Sequence, residues 1–134
     1  MYLSILIPCL NEEKTISNIT RELKCYSDVI VVDDNSSDKT YNLAKMNNVI
    51  LIKNEKNLGY EESLRVGLFK AIDLNYDYAI TFDADGEHFT SDCKKFKEFI
   101  QSGYDLILGN RPYVNRFSEK FGKAIFKNKW GIKD

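Results

Sequence analysis

Short apolar runs alternating with segments of helical period restrict what this 134-residue chain can fold into more than any other feature. The runs are "YLSILIP" (2–8), "DVIVVDD" (28–34), "VILIK" (49–53), "YAITF" (78–82) and "DLILG" (105–109). Rich in β-branched and aromatic residues and almost continuously apolar, they have the pattern of strands buried on both faces. Between them lie helical stripes. Asn11 is placed to cap a helix whose first turn holds Glu12 and Glu13 and whose buried face is Ile16, Ile19 and Leu23. Ser36, Ser37 and Asp38 offer caps for a shorter helix through Leu43 and Ala44. Leu64, Gly67, Leu68, Ala71 and Ile72 mark a third helix, and Phe96, Phe99 and Ile100 a fourth.

Strands separated by helices imply right-handed βαβ crossovers, hence an α/β fold with an open, mostly parallel sheet and helices on both faces. Parallel strands end at one edge, where open α/β sheets bind their ligands. Four polar stretches should converge there: Pro8 with Asn11 and Glu12, Asp33 with Asp34, Lys53 with Asn54, and Asp83 with Asp85.

The remaining bulk features remove alternatives. A 43% hydrophobic content supports one real core, so a single domain over 1–134 is expected. Charge is nearly balanced at −1, which argues against wholesale nucleic-acid binding. It is unevenly spread, because residues 111–134 hold seven Lys or Arg against two acids. That division suggests a core over 1–110 and a basic segment over 111–134. Cys9, Cys25 and Cys93 are odd in number and far apart, so neither a disulfide framework nor a zinc site is expected and a reducing, cytoplasmic setting is. The apolar N-terminus lacks a basic flank and cleavage site, and no run approaches the roughly 20 apolar residues of a membrane span.

"TFDADGEHF" (81–89) is the most chemically suggestive stretch. Asp83 and Asp85 flank one small residue, so both carboxylates can reach one hard cation from the same side of a turn. Such oxygens suit Mg²⁺ or Mn²⁺, and Mg²⁺ commonly takes one or two carboxylates and completes its octahedron with substrate phosphates. The plain alternative is a solvated turn at a strand end. His88 divides likewise between a role beside a pyrophosphate and a turn histidine that caps the next helix or bonds a backbone carbonyl. Several phosphate chemistries are excluded by missing signatures. Neither a G-x-x-x-x-G-K-[ST] loop nor a G-x-G-x-x-G turn is present, and an EF-hand register from Asp83 puts His88 and Lys94 where Gly and Glu belong. "PCLNEE" after the first strand holds no aspartyl nucleophile, and the single histidine forms no compelling Ser-His or Cys-His arrangement.

Taken together, "ILIPCLNEEKTI" (5–16), "VIVVDDNSSDKT" (29–40), "NLGYEESLRVGLFKA" (57–71), "ITFDADGEHF" (80–89) and "LILGNRP" (106–112) resemble, in order and spacing, the inverting nucleotide-sugar glycosyltransferases of family 2, with a GT-A fold. Within it the likeness is greatest to the polyprenyl-phosphate group, such as dolichyl-phosphate mannose synthase and undecaprenyl-phosphate glycosyltransferases. Glu87 stands where their DADGQH-like stretch has Gln, and Leu10 where Tyr is common, which removes a stacking surface for a base.

The resemblance implies a Rossmann-like nucleotide-binding half. In it Pro8, Leu10 and Glu12 border the base and ribose, Asp34 accepts a hydrogen bond from the base, and Gly59 lets the backbone approach the nucleotide. Asn11, Asp33, Asn57 and Ala84 belong to the same nucleotide-sugar set, with Arg65 reaching it from the third helix. Asp83 faces the ribose or sugar and, with Asp85, the Mg²⁺ or Mn²⁺ that bridges the diphosphate. Arg111 and Arg116 would meet the diphosphate or an acceptor phosphate, and Asp134 is the candidate base or acceptor contact. The donor would be a UDP- or GDP-sugar and the acceptor a polyprenyl phosphate in cell-envelope glycan synthesis. Residues 111–134, with Phe117, Phe121, Ala124 and Ile125 among lysines, would form a basic amphipathic helix, either packed on its own domain or lying on the cytoplasmic membrane face. The resemblance further implies a truncated domain, its acceptor half absent or supplied by a partner chain or a second copy. Against catalysis stands a non-catalytic nucleotide-sugar-binding module; a nucleotidyltransferase ranks last, for want of a Gly-rich basic loop after the first strand.

Overall fold

The structure of the chain, a computed structural model, describes residues 2–104 and 106–109. Arg111, Arg116, Asp134 and the expected basic helix lie outside the described residues. The chain divides into two units, Met1–Tyr104 and Asp105–Asp134, and the sheet and helices described below belong to the first.

Four parallel strands form one sheet in the order β3-β2-β1-β4: β1 Leu3–Cys9, β2 Asp28–Asp33, β3 Ile50–Lys53 and β4 Tyr78–Thr81. Helices α1 (Ile16–Leu23), α2 (Thr40–Met46) and α3 (Tyr60–Asp73) are the crossovers, and α4 (Asp92–Gln101) follows β4. The α/β class and the open parallel sheet are thus as expected. β1 is buried along its whole length and β2 from Val29 onward, which fits two-sided coverage. Leu6, Ile30 and Val32 pack with Ala71 of α3 on one face. The pleat sends Ile5, Ile7, Val29 and Val31 to the other, where α1 buries Ile16, Ile19 and Leu23. Each of these leucine, isoleucine and valine side chains contributes about 1.5–3 kcal/mol by leaving water.

The face of α3 toward the sheet is narrower than its apolar periodicity suggests. Ser63, Gly67 and Ala71 are its buried residues, while Leu68 and Ile72 are 39% and 64% exposed. A Cβ on Gly67 would stand 2.0 Å from Leu6 Cδ1, so this row of small residues lets α3 lie directly on β1. The helix closes with paired backbone bonds, Tyr76 N–H to Ala71 O at 3.0 Å and Asn75 N–H to Ile72 O at 2.9 Å, across a left-handed Asn75 (φ 58°).

Two expectations are corrected. Residues 106–109 form no strand, and Leu106 and Leu108 are 75% and 81% exposed; an apolar run becomes a strand only through a neighbour's ladder. Asn11 does not cap α1. It sits in the left-handed region (φ 56°), and the helix starts a turn later, with Ile16 N–H bonded to Glu12 O at 3.0 Å.

Candidate functional site

The chain runs outward from β1 through β2 to β3, then returns past β1 to β4, so β1 is the switch point at which crossovers on either side part and leave a crevice. A cavity of about 520 Å³ opens there. The end of β1 supplies Pro8, Cys9, Leu10 and Glu12, and the end of β2 supplies Asp34. Asn57, Gly59, Tyr60 and Ser63 come from the entry to α3, and Asp83, Ala84 and Asp85 from the turn after β4. Nine of these were expected from sequence; Cys9, Tyr60 and Ser63 were not.

Asn11, Asp33 and Arg65 do not line this cavity. Asn11 instead knits two loops: its N–H donates to Ser36 Oγ and its Oδ1 accepts from the Ser37 N–H, both at 2.9 Å. Neighbouring bonds extend the seam, Glu12 N–H to Thr40 Oγ1 at 2.7 Å and Lys39 N–H to Glu13 Oε2 at 3.1 Å. The serines therefore hold the β1–α1 loop, while Asp38 Oδ1 takes the capping role by accepting the Thr40 N–H at 2.9 Å. Asp33 is fully buried beneath the seam, where its Oδ2 accepts the Ser36 N–H at 3.3 Å. Arg65 lies on the exposed side of α3, ion-paired with Glu62 and stacked 5.4 Å from the Phe69 ring centroid.

Asp34 organises the opposite wall. Its Oδ1 accepts from Asn54 Nδ2 and from the Leu58 N–H, each at 2.8 Å, and its Oδ2 from the Gly59 N–H at 2.9 Å. Burial alone would raise this carboxyl, but the bonds from Asn54, Leu58, Gly59 and Ser63 outweigh it and hold the group below the usual carboxylate range. Gly59 (φ 88°) occupies a backbone conformation that favours glycine and sets the direction in which the chain enters α3.

The turn after β4 is braced from three sides. Thr15 Oγ1 donates to Ala84 O at 2.6 Å, Tyr60 Oη donates to Asp83 Oδ1 at 3.0 Å, and the Asp83 N–H donates to His88 Nδ1 at 3.2 Å. His88 Nε2 stands 3.5 Å from Asp83 Oδ2, with the imidazole edge-on to Phe82. Through these contacts His88 supports the Asp83 backbone and carboxylate. Its position in "DADGEH" marked it as noteworthy, but its partner was not legible. Asp85 is exposed, and its Oδ1 accepts the Glu87 N–H at 2.9 Å.

The electrostatics are acidic. Burial, and then the charge of Asp85, raise the Glu12 carboxyl. Burial, and then Asp83, push the Tyr60 phenol up to about 12, so it remains a donor. Burial, followed by Asp33, raises the Cys9 thiol and suppresses its thiolate. Among the described residues no group of three or more His, Cys, Asp or Glu side chains is arranged to cage a metal. Asp83 and Asp85 at the rim of an open cavity do suit an ion that takes one or two carboxylates and draws its other ligands from phosphate and water.

Comparison with known proteins agrees with this architecture. The model of the family described as glycosyl transferase family 2 matches residues 4–133. A UDP-N-acetylglucosamine–dolichyl-phosphate N-acetylglucosaminyltransferase of Methanococcus voltae is 36% identical over 127 residues, covering 80% of this chain and 51% of that protein. The chain spans about half the length of the curated relatives it matches. Among solved structures, glucosyl-3-phosphoglycerate synthase of Mycobacterium tuberculosis in complex with UDP superposes with a TM-score of 0.73 at 20% identity, over 95% of this chain and 50% of that one. The same enzyme with Mn²⁺, UDP-glucose and phosphoglyceric acid gives 0.51 at 24% identity, over 62% and 33%. The sheet is accordingly that of the GT-A glycosyltransferases. With the family model matching nearly its whole length, the chain belongs to glycosyl transferase family 2.

Proposed function

We propose that the cavity binds a uridine diphosphate sugar together with Mg²⁺ or Mn²⁺, and that the chain forms the donor half of an inverting glycosyltransferase acting on a polyprenyl phosphate. The observation that carries this reading is the convergence of Pro8, Leu10 and Glu12, Asp34, Asn57 and Gly59, and Asp83 and Asp85 on one cavity at the switch point of the sheet. UDP is named for the solved relatives and for the Methanococcus enzyme, and the acceptor class for the latter.

In this reading the apolar floor of Pro8 and Leu10 takes the base, and Asp34 holds the Gly59 loop close enough for backbone approach. Asp85, with Asp83 beside it, would hold the cation. Bound there, a divalent ion supplies Lewis-acid stabilisation of the leaving diphosphate. Asp83 would orient the ribose or sugar. Arg111 and Arg116 are proposed, from the sequence, as partners of phosphate through their planar donor forks. A phosphate acceptor is already ionised and asks little of a general base; Asp134 is the sequence candidate where one is needed.

The alternative reading is a nucleotide-sugar-binding module without turnover. One experiment bears on both. Thermal melting of the chain with UDP, UDP-N-acetylglucosamine and UDP-glucose, each with and without Mn²⁺, should rise specifically with nucleotide, because only the folded state binds. A melting temperature indifferent to every nucleotide overturns the reading. Binding accompanied by release of UDP in the presence of a polyprenyl phosphate supports catalysis, and binding without it the module.

A further inference from the structure

The cavity lining includes a side chain to which the proposed function assigns no task, Tyr60. It is the first residue of α3 and directly follows Gly59, whose N–H is fastened to Asp34 Oδ2 at 2.9 Å. From there the phenol reaches the far side of the cavity and donates to Asp83 Oδ1 at 3.0 Å. The two residues belong to different connections: Tyr60 opens the crossover that follows β3, at one margin of the sheet, and Asp83 lies in the turn after β4, at the other. A continuous series of bonds therefore rings the cavity from the end of β2 through Gly59 and Tyr60 to the end of β4.

Asp83 is consequently oriented from two directions. Tyr60 meets one carboxylate oxygen, and His88 Nε2 stands 3.5 Å from the other. An aspartate on an exposed turn samples several rotamers, and a ligand that needs one of them bears the entropy of selecting it. A phenol donor anchored at a helix start removes that freedom before the ligand arrives. The phenol is well suited to the task, since it carries no charge, makes no competing ligand for a hard cation while protonated, and has only two side-chain torsions to fix.

We propose that Tyr60 is a positioning residue, which holds the Asp83 carboxylate toward the diphosphate end of the cavity and thereby strengthens cation-dependent nucleotide binding. The inference rests on the proposed function. It assigns Tyr60 no chemistry of its own.

The test is a double-mutant cycle on the intact chain, read by calorimetric binding of UDP with and without Mn²⁺. Tyr60→Phe keeps the ring and loses the donor, and Asp83→Asn keeps the shape and loses the charge. In wild type, Mn²⁺ should tighten UDP binding. In Tyr60→Phe that tightening should shrink on the order of tenfold, the scale of one hydrogen bond to a charged group, while UDP affinity without Mn²⁺ and the melting temperature stay near wild type. In the Asp83→Asn background, Tyr60→Phe should have no further effect, because coupled groups are non-additive. A Tyr60→Phe variant with the full Mn²⁺ gain overturns the inference and leaves the proposed function standing. So does an undiminished effect in the Asp83→Asn background, which would mean that the phenol touches the ligand itself. A general loss of UDP affinity with a lowered melting point makes Tyr60 merely structural and also overturns it. Wild-type protein that binds no UDP removes the proposed function itself, and wild-type protein that binds UDP indifferently to Mn²⁺ removes the positioning role.

Discussion

The Asp34 carboxylate holds the Gly59 N–H at 2.9 Å and, through its other oxygen, the Leu58 N–H at 2.8 Å, so the end of β2 fixes the loop that opens α3. One nearly buried side chain thereby determines where a whole wall of the cavity stands. Topology makes this necessary. The crossover from β3 to β4 passes over β2 and β1, and its entry loop must be secured before α3 can settle on the sheet.

Asp34→Ala leaves two backbone N–H groups and Asn54 without this acceptor, and about 3 kcal/mol should be lost, given roughly 1–3 kcal/mol for each buried polar group deprived of its partner. Urea unfolding at neutral pH measures it. The pH dependence has a definite sign. The folded carboxyl lies below its unfolded value, so the unfolded chain takes up the proton first in acid. The contribution of Asp34 is therefore complete above the unfolded value of about 3.9 and is lost as pH falls through the folded one. Asp34→Asn should flatten that part of the acid limb; a limb unchanged from wild type would count against the bonds described.

Gly67→Ala should destabilise the fold although alanine is the better helix former by about 1 kcal/mol. The added methyl would lie 2.0 Å from Leu6 Cδ1 and 3.0 Å from both Cδ2 and Cγ, and Leu6 is fully buried. Overpacking of this kind costs about 1–3 kcal/mol, which leaves a net loss of roughly 1 kcal/mol. Pairing the change with Leu6→Ala should recover part of what each loses alone, as contacting residues couple. Purely additive losses in the urea series would show that α3 does not rest on Leu6.

The three thiols should separate cleanly on alkylation of the native protein. Cys25 is exposed, whereas Cys9 and Cys93 are buried. Burial raises both buried thiols, that of Cys93 to about 11, and the acidic neighbours Asp33 and Asp92 add to the effect. Thiolate is the reactive form. Mass spectrometry after brief treatment with iodoacetamide near pH 8 should find a single adduct on Cys25, and Cys25→Ser should abolish it. Rapid labelling of Cys9 would mean that the floor of the cavity opens in solution.

How much of this was legible depended on whether a feature is set by pattern or by neighbours. The convergence of Pro8, Asp34 and Asp83 could be read from the chain, because alternation of strands and helices fixes a parallel sheet and a parallel sheet fixes where its strands end. Lys53 and Asn54, expected at the same edge, do not line the cavity, and Asn57 was expected from the family resemblance alone. The bracing could not. Asn11 meets Ser36 and Ser37, Tyr60 meets Asp83, and Thr15 meets Ala84 only because the sheet order brings distant loops together. Local propensity favoured Asn11 as a cap, yet the two serines bind it in a left-handed conformation instead. Gly67 was read as one member of an apolar stripe, when its use is close approach to Leu6. The run at 106–109 is as apolar as a strand, but pairing, which makes a strand, is not written in its own residues.

The metal assignment yields the last prediction. Asp85 is exposed on the turn after β4, where its Oδ1 accepts the Glu87 N–H at 2.9 Å. Asp85→Ala should therefore leave the melting temperature within a few degrees of wild type, as surface changes usually lie within about 0.5 kcal/mol. Binding should respond differently. Removing even an outer partner of a metal site typically weakens it roughly 10–100-fold, so loss of a direct ligand should reduce the Mn²⁺-dependent part of UDP-sugar binding at least that far. Binding of UDP alone, supported by Pro8, Leu10 and the Gly59 loop, should change little. Relief of the Glu12 carboxyl should accompany the change, since Asp85 is the leading charge that raises it after burial. Calorimetry that finds an unchanged Mn²⁺ gain in Asp85→Ala would move the cation site away from this turn.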